Sequence, residues 1–137
     1  MNERIFEELA FSAEAARTSA YSPYSGVTVG AALLTSDGKV YTGANIENAS
    51  YSPTICAERV AFFKAINEGE RKFLAIAIAG GEADAPAKAD FPPCGVCRQV
   101  MSEFCKSDFV IIWGNDEDLT TKTLAEMMPF TFDKDNL

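Results

Sequence analysis

A chain of 137 residues with 47% hydrophobic content is long enough to bury one core and too apolar for disorder. Its net charge of −8, from 12 basic and 20 acidic residues without a basic track, disfavours a sequence-independent grip on nucleic acid. Histidine is absent, which removes the commonest metal ligand and general base.

The opening segment places Ile5, Phe6, Leu9, Ala13 and Ala16 near helical spacing and predicts an amphipathic helix over 3–19. It is charged and lacks the apolar stretch of a signal peptide. No later run approaches the roughly 20 apolar residues of a membrane helix. A cytoplasmic protein with a small-molecule partner and no membrane is expected. After the break at AYSPYSG, the segment VTVGAALLTSDGKVYTGANI holds two apolar runs around Asp37-Gly38, a hairpin signal.

ICAERVAFFKAINEG reads as a helix of about four turns stopped by Gly69. FLAIAIAGG is nearly all apolar, as in a strand buried on both faces. CGVCRQVMSEFC, with Pro92 and Pro93 ahead of it, reads as a helix. DFVIIWGN is a further strand, and TTKTLAEMM a short closing helix. The order α-β-β-α-β-α-β-α predicts one α/β domain over 1–137, a mixed sheet layered between helices in α/β/α fashion.

Cys94 and Cys97 begin one predicted helix, and Cys56 begins another. In open α/β sheets, helix N-termini converge where ligands bind, and their positive dipole ends favour thiolates. Three converging thiolates make a zinc site, and three rather than four leave a position for water. Cys105 lies eight residues beyond Cys97, roughly 12 Å along the helix axis. That is too far for a fourth ligand, and Cys105 reads as a small buried hydrophobe.

Glu58, two residues after Cys56, can sit beside the metal without binding it and exchange protons with an activated water. Arg59 and Arg98 each follow the chemistry closely enough to donate hydrogen bonds to thiolate sulfur, which would offset the negative charge of three thiolates on zinc. Asn45 and Glu47 stand two apart at a strand end, so both project to one side. A closed structural zinc site and a Cys94/Cys97 redox dithiol are rival readings. The first lacks a fourth ligand, and the second leaves Cys56 and Glu58 unused.

AYSPYSGVTVGAALLTSDGKVYTGANIENASY, CAERVAFFKAI, PPCGVCRQVMSEF and MMPFTF occur in this order along nearly the whole chain. In these blocks the sequence resembles the small cytidine deaminases whose zinc ligands are all cysteines. The resemblance implies a cytidine-deaminase-like fold and a homotetramer carrying one zinc ion per subunit. It also implies hydrolysis of cytidine and 2′-deoxycytidine to uridine and 2′-deoxyuridine plus ammonia, through a zinc-activated water, in pyrimidine salvage. Carried onto this chain, Cys56, Cys94 and Cys97 hold zinc. Glu58 moves the proton from water to N3 of the base and then to the leaving amino group. The Ala57 N–H donates to the base O2. Asn45 and Glu47 hold the ribose 3′-hydroxyl, Tyr51 closes the nucleoside segment, and Phe132 reaches a neighbouring subunit's site.

Two positions depart from the family pattern. Val27 stands where the family usually has Phe, and Ala44 where Cys is common. A smaller side chain at 27 weakens aromatic contact with the substrate and leaves room for bulkier groups on the base. Nucleoside-antibiotic and modified-cytosine substrates therefore remain open at this level, whereas a polynucleotide would need a basic or aromatic platform.

Overall fold

The computed structural model describes residues 2–137. Its elements in chain order begin with α1 (Glu3–Ala16), a single 3-10 turn at Arg17–Ser19, β1 (Val27–Thr35), β2 (Val40–Ala44) and α2 (Ala57–Asn67). They continue with β3 (Phe73–Glu82), α3 (Gly95–Phe104), β4 (Val110–Gly114), β5 (Leu119–Thr123), α4 (Leu124–Met127) and a last 3-10 turn at Lys134–Asn136. The strands form one mixed sheet in the order β2-β1-β3-β4-β5. Only β3 and β4 pair in parallel, and the other neighbours are antiparallel. No described helix is long and apolar enough to cross a membrane.

Alternation of side-chain size decides how each face is covered. In β3, Ile76 and Ile78 join the core beneath α2 and α3, with Val29, Ala31 and Leu33 of β1 and Ile111 and Trp113 of β4. The intervening Ala75, Ala77 and Ala79 face the other way, where Leu9 and Ala13 of α1 pack on them. The period of two sends each set to its own face. Small residues let helices approach closely. A Cβ at Gly30 would stand 2.0 Å from the Ala13 carbonyl oxygen, and one at Gly43 would stand 2.4 Å from the Ala57 carbonyl oxygen. Glycine at 43 therefore lets the first turn of α2 rest on β2.

The structure corrects the sequence reading at the C-terminal end. The expected helix over TTKTLAEMM is instead strand β5 followed by the single turn α4. Asn115 makes the reversal: its side-chain oxygen accepts from the N–H groups of Glu117 and Asp118. The threonines that follow favour an extended edge strand against β4. Thr123 then caps α4 reciprocally with Glu126. The helix after Cys56 is also shorter than expected, ending at Asn67 before Gly69 turns at φ +96.

Candidate active site

Strands β2 and β3 both run antiparallel to β1, so their C-terminal ends lie at one edge of the sheet. Helices α2 and α3 begin beyond those ends, which brings their N-termini together. Cys56 and Cys94 occupy the N-cap positions, with extended backbones at φ −76 and −69. Neither makes a side-chain cap bond, which leaves both sulfurs free to face each other. Cys97, in the first turn of α3, is buried.

The three sulfur atoms lie within 4.8 Å of one another, and Cys56 and Cys94 are 3.7 Å apart. Zinc–sulfur bonds of about 2.3 Å at tetrahedral angles place ligand sulfurs roughly 3.8 Å apart. The donor set and spacing therefore fit zinc. Donation from the Cys97 thiol, with help from Arg59, brings the Cys56 thiol down to about 5, while Cys97 is itself pushed up. The thiolate form of Cys56 is thereby favoured, as a metal ligand requires. Cys105 stands at the far end of α3, outside the cluster, and burial pushes its thiol up. It behaves as the expected small hydrophobe.

Glu58 follows in the first turn of α2 and is only 4% exposed. Burial pushes its carboxyl up to about 7. Arg59 donates through Nη2 to the Cys56 sulfur at 3.5 Å, while its Nε is buried without a partner. Arg98 turns elsewhere: its Nε donates to the Pro93 carbonyl at 2.9 Å and its Nη1 to that of Met127 at 3.4 Å. The expected bond from Arg98 to sulfur is replaced by backbone contacts that brace the approach to Cys94 against α4.

The segment after β2 is held beside Cys56. Ile46 and Ile55 exchange backbone hydrogen bonds at 3.0 and 2.9 Å, so Asn45 and Glu47 flank a residue paired to the neighbour of Cys56. Asn45 is buried, and its amide grips the start of β1, donating to the Val27 carbonyl and accepting from the Val29 N–H, both at 2.9 Å. An amide has two donors and two acceptor positions, so one of each is left over. The Glu47 carboxylate accepts from the N–H groups of Tyr24 and Ser25 and from the Ser25 hydroxyl. A cleft of about 260 Å³ opens here, lined by Tyr24, Ser25, Glu47, Asn48, Tyr51 and Thr54. The thiols and Glu58 are adjacent to it through the Ile46–Ile55 pair rather than part of its lining. Val27 is half-buried at the start of β1, and its N–H donates to the Ser25 hydroxyl.

The family model for the cytidine and deoxycytidylate deaminase zinc-binding region matches residues 5–113. A cytidine deaminase of Sporosarcina psychrophila is 45% identical over 132 residues, 96% of this chain and 93% of that protein. One of Halalkalibacterium halodurans is 50% identical over 123 residues, 89% of each. The crystal structure of cytidine deaminase from Burkholderia pseudomallei superposes with a TM-score of 0.84 at 43% identity, covering 92% of this chain and 98% of that one. The chain belongs to the cytidine and deoxycytidylate deaminase family.

With the family in place, the residues that sequence reasoning missed can be located. Tyr24 and Ser25 are the groups that fix Glu47; the Ser/Pro/Gly run SPYSG marked a turn without saying which carboxylate it would hold. Gln99 of α3 donates to the Phe132 carbonyl at 2.8 Å, tying the C-terminal segment to the helix that carries Cys97. The Phe132 ring is 59% exposed, close to the fully exposed Phe130. Tyr51 is likewise exposed at 79%, so neither ring is buried within this chain.

Proposed function

We propose that the chain deaminates cytidine and 2′-deoxycytidine hydrolytically, consuming one water and releasing one ammonia per nucleoside. The observation that carries this reading is the buried Glu58 carboxyl in the helical turn that begins at Cys56, beside three thiols spaced for zinc. Cys56, Cys94 and Cys97 would hold a zinc ion, which when bound would supply a Lewis acid that makes water acidic enough to react near neutral pH. Glu58 takes a proton from the attacking water and delivers it to N3 of the base as the oxygen adds at C4. It then relays a proton to the departing amino group. Burial suits it to both halves of this exchange, since a carboxyl near neutrality gives up and regains a proton readily.

Arg59 steadies the Cys56 sulfur and withdraws negative charge from it. The Ala57 N–H, in the first turn of α2 where helical N–H groups lack internal partners, donates to O2 of the base. Asn45 and Glu47 receive the ribose 3′-hydroxyl, with Tyr51 over the cleft and Val27 bordering the base. Glu47 has three of its roughly four lone-pair positions filled by Tyr24 and Ser25, which suits it to accept one hydroxyl. The family resemblance implies a homotetramer in which Phe132 reaches a neighbouring site, and the exposure of Phe130 and Phe132 leaves both rings available for such a contact. Turnover in 18O-labelled water tests the chemistry. Uridine heavier by one 18O at C4 is expected, and unlabelled uridine would contradict hydrolysis.

A further inference from the structure

Arg17 is only 6% exposed, and a buried guanidinium costs several kcal/mol in desolvation unless its donors are matched. Here every nitrogen is engaged. Nε donates to the Thr28 carbonyl at 3.0 Å and to the Thr28 hydroxyl at 3.2 Å. Nη1 donates to Glu14 and to the Ala85 carbonyl, and Nη2 to the Glu82 carbonyl, all at 2.9 Å. One side chain thus joins the end of α1, the start of β1, the end of β3 and the loop beyond β3.

Both strand ends border the deaminase site. Thr28 lies between Val27 and Val29, the two residues whose backbone Asn45 grips. By strand alternation Thr28 points away from the face that Val27 and Val29 share, so Asn45 and Arg17 secure three successive residues of β1 from different directions. On the other strand, Glu82 pairs with Val27, and the chain beyond it runs through Ala85 to Cys94. That loop folds back on β3: Lys88 N–H donates to the Gly80 carbonyl at 2.8 Å, and Phe91 packs so closely over Gly80 that a Cβ there would stand 2.4 Å from its ring. Arg17 also begins the segment that leads to Tyr24 and Ser25, the groups that hold Glu47.

We propose that Arg17 is a positioning residue for nucleoside binding, fixing the Val27 wall and the start of the loop to Cys94 from the sheet face opposite the thiols. It touches no reacting atom. The proposal rests on the deaminase reading of the site, and a wild-type protein inactive on cytidine would refute that reading rather than this one. The test compares Arg17→Lys and Arg17→Gln with the wild type in zinc content, KM, kcat and melting temperature, with kinetics measured well below each melting point. Lysine keeps the charge but cannot span all four segments, whereas glutamine removes the charge as well. Zinc is expected to stay at one per chain, while KM for cytidine rises about tenfold or more with a smaller change in kcat, in line with the cost of small displacements in a site. Arg17→Lys should fall between the wild type and Arg17→Gln. Thr28→Val removes only one of the two acceptors of Nε and keeps the Thr28 carbonyl, so it should raise KM by only about two- to threefold. A lowered melting temperature with unchanged KM would make Arg17 merely structural and overturn the proposal. Failure of both Arg17 variants to fold would overturn it too, by assigning the residue to folding.

Discussion

Burial pushes the Glu58 carboxyl up to about 7, whereas the Ser25 hydroxyl holds Glu47 below the usual carboxylate range. Two carboxylates on neighbouring segments are thus suited to opposite tasks, one to carry a proton and the other to remain an acceptor. Arg59 adds a fixed positive group at the Cys56 sulfur. Arg59→Gln should lower kcat by about 10- to 100-fold with zinc retained, and kcat together with metal content checks this. In the proposed reading Val27 borders the base with a smaller side chain than the family pattern favours. Val27→Phe should lower KM for cytidine by adding a ring that packs against the base, worth about 0.5–1.5 kcal/mol. An unchanged KM would remove Val27 from the pocket. Residue identities legible from sequence were those whose chemistry is unusual for their place. Three cysteines at helix starts and a glutamate two positions on stand out against ordinary helix composition. Arg17 did not stand out, because an arginine near a helix end reads as solvated until the carbonyls around it are known, and for the same reason Arg98 stood out with sulfur as its partner instead of the Pro93 and Met127 carbonyls.

At the scale of elements, the site depends on how closely α2 rests on β2. A Cβ at Gly43 would stand 2.4 Å from the Ala57 carbonyl oxygen and 2.6 Å from the Ala61 nitrogen. Those are backbone atoms of the turn that carries Glu58, so the helix itself must move. Gly43→Ala should cost about 1–3 kcal/mol of stability and reduce kcat through displacement of Glu58. Denaturant unfolding with kinetics on the folded protein tests both. A stability loss with normal kcat would show that the turn tolerates the shift. Helices and inner strands were legible because their apolar periods are strong, as in the alternating Ile and Ala of β3. β5 was not, because LTTKT carries little apolar signal at an edge and runs straight into the helical LAEM. Its identity comes from pairing with β4, a non-local contact absent from any local pattern.

For the whole molecule, the zinc cluster joins α2 to α3, two helices separated in sequence by β3. A cation held by both should resist their separation, and binding to the folded state alone adds about 2.7 kcal/mol when free metal is 100 times its dissociation constant. Chelation is therefore expected to lower the melting temperature by on the order of 10 °C, restored on adding zinc back. An unchanged melting temperature would mean that the folded chain binds the cation no better than the unfolded one, and would contradict a zinc site at these thiols. The layered fold was legible from element order, while the corrections fell at the end of α2 and at the periphery, in β5 and α4.

Glu58 is the proposed proton carrier of a zinc-dependent deamination. The most direct measurement follows the ultraviolet spectrum of cytidine over time with wild-type protein and with Glu58→Ala, each analysed for bound zinc. Conversion to the uridine spectrum by the wild type is predicted, with Glu58→Ala slowed by about 100-fold or more at equal zinc content. Equal rates in the two proteins, or loss of zinc from Glu58→Ala, would contradict the division of labour between the carboxylate and the three thiols.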